Sequence, residues 1–211
     1  MQKKISQKAE IKIKKGEIPD SQKGDLPVIS FARQDDWREW LDKNHKSSNG
    51  IWLCIFKKKS GRDSVSYDQA IEEALCYGWI DGQKKPKDVD SWHQKFTPRR
   101  GKSIWSKRNT DHVERLIKLG KMKPAGLKEI KAAKADGRWE KAYDSPAKML
   151  VPEDFLQKLS KNKKAKAFFD SLNRANVYAI TWRLQTAKKP ETREKRMKII
   201  LEMLSRGEKF H

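Results

Sequence analysis

The chain is poor in the residues that usually announce a chemistry. Its 211 residues include two cysteines, Cys54 and Cys76, with no Cys-x-x-Cys pattern and no histidine close by in the chain. That excludes a disulfide framework and argues against a zinc site. No window approaches the ~18 consecutive apolar residues of a membrane-spanning helix. The N-terminal stretch MQKKISQKAEIKIKKGEIPDSQKGD is too densely charged to contain the roughly 7–15-residue apolar segment of a secretory signal. A cytoplasmic protein without a transmembrane segment is therefore expected. HExxH, P-loop, GxSxG and Rossmann patterns are all missing, which removes the commonest metalloprotease, nucleotidase, hydrolase and dehydrogenase readings. No cofactor, no metal site and no catalytic residue is assigned.

Aliphatic residues are scarce as well. Apolar residues make up 36% of the chain and charged residues another 36%, below and above the usual shares. Eight tryptophans offset part of the shortage, because each aromatic buries roughly 150–250 Å². A folded protein with a modest core and a strongly hydrated surface follows.

What the chain has in excess is positive charge. The formal net charge is +21. Residues 1–23 carry seven Lys against three acids, residues 24–120 carry 19 basic against 14 acidic side chains, and residues 121–211 carry 23 against 11. Such a field attracts polyanions in general and keeps a protein soluble without any ligand. Nucleic acid, met through the basic C-terminal half, is one partner class this charge suggests.

Residues 1–25 read as a flexible basic tail, poor in apolar side chains and rich in breakers. Leu26-Pro-Val-Ile-Ser-Phe31 suits an edge strand. A helix over 35–44 opens on two acids and sets Trp37, Trp40 and Leu41 on one face. The apolar run Ile51-Trp-Leu-Cys-Ile-Phe56 predicts a central strand. Ser66-Tyr-Asp-Gln69 is a capping box for a helix through Tyr77, stopped by a left-handed Gly78. Residues 79–85 and 91–97, joined by Pro86-Lys-Asp-Val-Asp90, predict a β-hairpin. Helices follow at about 105–119, 124–135, 152–159, 165–171, 173–187 and 191–205. The fold class is thus α+β, with a small antiparallel sheet and β-hairpin in the first half and a helical second half. The expected organisation is a tail (1–25), an α+β domain (26–136) and a helical C-terminal region (137–211), with a hinge within 137–151.

One region concentrates polar and aromatic groups. Strand alternation puts Trp79, Asp81, Gln83 and Lys85 on one hairpin face, and Trp92, Gln94 and Phe96 together on the second strand. The strand runs into Arg99-Arg100, adjacent side chains that point opposite ways. Ser103, Trp105, Ser106 and Asn109 then surround a helix start, where free N–H groups, the positive dipole end and nearby cations suit an anion. His112 lies close enough along the same helix to face this place. These residues predict a polar, aromatic-walled pocket for a small anionic molecule. A structural account stands beside it: an Asp81–Arg99 ion pair, Ser103 or Ser106 as a helix cap, and the tryptophans as core. Cys54 and Cys76 read as inert packing thiols with no evident base or cation beside either, and His93 as a surface residue.

The run Glu73-Ala-Leu-Cys-Tyr-Gly-Trp-Ile-Asp-Gly-Gln83, with Phe96-Thr-Pro-Arg-Arg100 and Ser103-x-Trp-Ser-x-x-Asn109, resembles the YdeI/OmpD-associated, bacteriocin-protection family. So do Met122-Lys-Pro-Ala-Gly126, Pro152-Glu-Asp-Phe155, Phe168-Phe169 and Pro190-Glu-Thr-Arg193, and the resemblance spans residues 26–208. It implies a bacterial or archaeal stress-resistance protein and supplies no catalytic residues. The reading that unites resemblance and residues is a non-enzymatic anion-binding protein. Its alternatives are non-specific nucleic-acid binding, and an enzyme acting on a small anionic substrate with Asp81 as base. Arginine charge beside Asp81 would lower its basicity and weakens the last of these.

Overall fold

The computed structural model describes residues 26–144 and 148–210. The basic N-terminal segment and residues 145–147 of the expected hinge lie outside the described residues. Chain order is β1 (Val28–Ile29), α1 (Gln34–Asn44), β2 (Ile51–Phe56), α2 (Tyr67–Cys76), β3 (Trp79–Pro86), β4 (Ser91–Pro98), α3 (Lys107–Lys118), α4 (Pro124–Ala135), α5 (Glu153–Ser160), α6 (Lys163–Asp170), α7 (Arg174–Gln185) and α8 (Pro190–Ser205). A short 3-10 turn, Lys58–Ser60, follows β2.

The four strands form one sheet in the order β1-β2-β4-β3. β2 pairs antiparallel with β4, and β4 with β3. β1 pairs parallel with β2, so one parallel edge pair adds to the expected antiparallel strands and makes the sheet mixed. The cause is α1: a helical crossover between two neighbouring strands returns the chain in the same direction.

Ile51, Leu53 and Ile55 are almost wholly buried, as are Trp79 and Phe96 on the same sheet face. They pack with Trp37 and Leu41 of α1 and with Ala70, Ile71, Ala74 and Leu75 of α2. Two of the indoles in this core have their N–H groups satisfied: Trp37 donates to Ala70 O (3.1 Å) and Trp79 to His45 O (3.2 Å), whereas the buried N–H groups of Trp105 and of the adjoining Trp92 have no partner. A buried carboxylate ties the two helices. Glu73 accepts Arg38 Nε at 2.9 Å and Nη2 at 2.7 Å, and also the Gln34 amide, the two-pronged geometry that offsets the cost of burying charge.

The hairpin departs from simple alternation. Its register passes from Asp81 opposite Phe96 to Lys84 opposite Gln94, so Gly82 and Gln83 together oppose Lys95. This β-bulge shifts every later side chain of β3 to the other face. Lys84, rather than Gln83 or Lys85, therefore shares the face of Trp79 and Asp81. Buried Gln94 donates its amide to the bulge carbonyls of Gly82 (2.9 Å) and Gln83 (3.3 Å).

α2 starts on the reciprocal Ser66/Gln69 capping box and ends at Gly78, whose φ of 73° is left-handed. The start of α4 crosses the end of α2 at Gly126, where a Cβ would lie 2.4 Å from Cys76 O. The second half has its own core of Phe155, Leu159, Ala165, Phe169, Ile180, Leu184, Met197, Ile200 and Leu204. Trp139 and Ala142 pack on the first core instead. Among the described residues no helix is long and apolar enough to cross a membrane.

Candidate anion-binding cavity

Arg99 is the unusual residue of the first half. It leaves the end of β4 immediately after Pro98, and its backbone N–H donates to Gly78 O at 3.0 Å, which fixes the chain against the end of α2. Only 7% of the residue is exposed. The guanidinium lies 3.4 Å from the centroid of the Trp105 ring, and Nη1 donates to Ile104 O over 3.4 Å. Nε and Nη2 are buried and have no hydrogen-bond partner. Burial pushes its pKa down to about 10, with Asp81 and then Glu129 pulling the other way. The side chain is therefore still a cation at neutral pH.

Arg99 borders a cavity of about 580 Å³ between the end of α1, the Tyr77–Trp79 turn and the first turn of α4. Tyr77, Gly78, Trp79 and Pro98 supply its apolar wall, and Pro124 and Ala125 bring the start of α4 to it. Lys46, Lys123 and Lys128 join Arg99 in the lining, against the two carboxylates Asp42 and Glu129. Asp42 already accepts the Tyr77 hydroxyl at 3.1 Å. His45 places Nδ1 2.9 Å from Leu41 O, so that nitrogen carries the proton. Four cations, a helix N-terminus and aromatic walls form a surface with net positive charge around a hollow.

The residues singled out from sequence divide into three groups. Trp79 and Arg99 line this cavity, and Trp105 supports Arg99 from beneath. Asp81 is half-buried and accepts the Tyr67 hydroxyl at 2.8 Å. Burial and the Asp81 charge raise the pKa of both Tyr67 and Tyr143. The Asp81–Arg99 ion pair of the structural account does not form: Arg99 feels that charge without hydrogen-bonding to it. The remainder belong to the loop and helix that follow. Arg100 is exposed, and its N–H donates to Ser103 Oγ at 3.1 Å. Ser103 O accepts Arg138 at 2.8 Å. Ser106 is the N-cap of α3 and accepts the N–H of buried Asn109 at 3.2 Å. Gln83 is exposed at the bulge, and His112 turns to Glu72 of α2, 3.5 Å away.

Asp42, His45, Lys46, Tyr77, Lys123, Lys128 and Glu129 complete the lining and were not anticipated. One signal for them is present in the sequence: Lys123-Pro124 places a cation before a proline-initiated helix. That this helix crosses beside Gly78 depends on the tertiary contact at Gly126. Cys54 and Cys76 are buried, as packing thiols should be. Burial, reinforced by Glu73, pushes the Cys76 thiol up to about 12. Cys54 does have a cation beside it, Lys87 Nζ at 3.7 Å, and lies opposite His93 in the sheet. Hairpin pairing, unseen in the linear chain, brings both there. Among the described residues no cluster of three or more His, Cys, Asp or Glu side chains is placed to hold a metal.

Residues 29–129 match a family described as a domain of unknown function (DUF8412), and the cavity lies wholly within them. Residues 148–207 match the family described as Bacteriocin-protection, YdeI or OmpD-Associated. The latter match covers Pro152-Glu-Asp-Phe155, Phe168-Phe169 and Pro190-Glu-Thr-Arg193, whereas the block from Glu73 to Asn109 falls in the former. No curated protein and no solved structure matches the chain.

Proposed function

We propose, for a chain whose residues 148–207 match the bacteriocin-protection, YdeI or OmpD-associated family, a non-enzymatic stress-protection role in which the first half holds a small anion in the cavity beside α4. The observation that carries this reading is Arg99. A buried cation with two unpartnered N–H-bearing nitrogens is costly for the unliganded fold. A phosphate, sulfate or carboxylate group in the cavity that Arg99 lines supplies the compensating charge. Pro98, Pro124 and Ala125 favour a ligand whose remainder is apolar, and the lysines at the rim favour more than one negative charge.

Thermal unfolding in the presence of sulfate, phosphate, nucleotides and sugar phosphates tests the reading. A true ligand at 100 times its Kd contributes about 2.7 kcal/mol, a Tm increase of roughly 8–20 °C for a cooperative unit the size of the first half. Arg99→Met should abolish the shift, and Lys123→Ala should weaken it. If no anion stabilises the wild type selectively over Arg99→Met, the cavity is not an anion site.

A further inference from the structure

The sheet has a second face, and its chemistry differs from that of the cavity. Alternation along β2 turns Ile51, Leu53 and Ile55 to the core and Trp52, Cys54 and Phe56 the other way. Trp52 and Phe56 are half-buried on that outer face, separated by about 13 Å along the strand. Each ring has two cations over it. Lys85 and Lys95 lie 4.5 and 5.7 Å from the Trp52 centroid, and Arg62 and Lys87 lie 3.8 and 5.8 Å from Phe56. Lys87 is 3.9 Å from Asp88, while Lys85, Lys95 and Arg62 form no ion pair among the described residues. The β-bulge is what delivers Lys85 here, opposite His93 and beside Trp52.

We propose that this outer face binds single-stranded nucleic acid, with bases stacked on Trp52 and Phe56 and phosphates held by Lys85, Lys95, Arg62 and Lys87. Two π-faces on a pleated surface, each with two cations beside it, match a ligand that alternates flat bases with phosphates. Lysines lying over the rings are displaced outward by a stacking base and remain within reach of its phosphate. A duplex offers phosphates but keeps its bases stacked, so it meets the cations and not the rings. The site is separate from the anion cavity and does not depend on it.

Fluorescence anisotropy of the full chain with labelled dT12 and rU12 is the test. Both oligonucleotides should bind at ~50 mM salt and weaken linearly on a log–log salt plot, with a slope of about −0.7 per phosphate contact. Trp52→Leu should weaken binding by about tenfold, within the range of one lost base–aromatic stack, and leave duplex binding unchanged. The double variant Lys85→Glu/Lys95→Glu, checked for folding by circular dichroism because Lys95 is half-buried, should weaken binding further and flatten the salt slope. The distant control Lys188→Glu/Lys189→Glu should change affinity by less than about twofold. Arg99→Met should leave oligonucleotide binding intact. No binding at low salt would overturn the proposal. So would a folded Trp52→Leu protein with undiminished affinity, or a control pair that costs as much as the pair on the face. Equal binding of duplex or heparin would likewise reduce the face to part of a general positive field.

Discussion

Two buried charges in the first half follow opposite logic. Glu73 is 3% exposed and bound by Arg38 and Gln34. Arg99 is 7% exposed, stacks on Trp105 and keeps two nitrogens unpartnered. Arg38→Met should therefore destabilise the protein by about 3–5 kcal/mol, because it strands a buried carboxylate. Arg99→Met should be neutral or stabilising by about 1–4 kcal/mol in the absence of ligand, since thioether–aromatic contact with Trp105 replaces the cation stack. Urea unfolding of the two variants beside the wild type measures both. The pH dependence has a definite sign. With Arg99 held down to about 10, the unfolded chain binds the extra proton from there up to the ordinary arginine range. This residue's contribution to stability is thus constant and unfavourable below about 10 and improves as pH rises through that window. The anion affinity proposed above should run the other way, lost as the guanidinium deprotonates.

Elements, rather than single residues, place the cavity, and their placement rests on a backbone crossing. The N–H of Lys123 donates to Cys76 O at 3.1 Å, and Gly126 leaves no room for a side chain between α4 and α2. Gly126→Ala should cost about 1–3 kcal/mol through overpacking against main chain. It should also lower anion affinity by moving the start of α4 off the cavity. Thermal melts with and without the stabilising anion separate the two effects. Legibility in the sequence follows the same division. Helix and strand positions were readable because capping boxes, acidic first turns and apolar runs are local signals: Ser66/Gln69, Asp35/Asp36 and residues 51–56 all lie where they predict. Alternation also implied that Arg99 and Arg100 point opposite ways, but not that Arg99 is the buried one and Arg100 the exposed one. Alternation failed at Gly82/Gln83, because a bulge is settled by the partner strand and by Gln94 beneath it. The parallel β1 and the α4 side of the cavity were not readable, since both depend on contacts between segments far apart in the chain.

At the scale of the whole molecule, the hydrophobic residues sort into two cores whose members do not interleave along the chain. One runs from Ile29 to Ala142 and the other from Val151 to Phe210. Asp144 stands between them, held by Lys107 of α3 at 2.8 Å and by Gln185 of α7 at 3.2 Å, and Tyr143 meets Trp182 edge-on at 6.2 Å. These links are polar or involve single rings, and they are small beside either core. The halves should therefore unfold as separate cooperative units, and the tryptophans provide the means to observe it. Seven of the eight lie between residues 37 and 139, leaving Trp182 alone in the second half. Phe155 is fully buried in the second core, so Phe155→Ala should remove about 3–5 kcal/mol there. Helicity followed by far-UV circular dichroism should then show an early transition, while the tryptophan fluorescence midpoint stays with the wild type. A fluorescence midpoint that falls in step with the helicity would mean that Asp144 and its neighbours couple the halves into one two-state unit. In that case the cavity beside α4 would feel destabilising substitutions within residues 148–207.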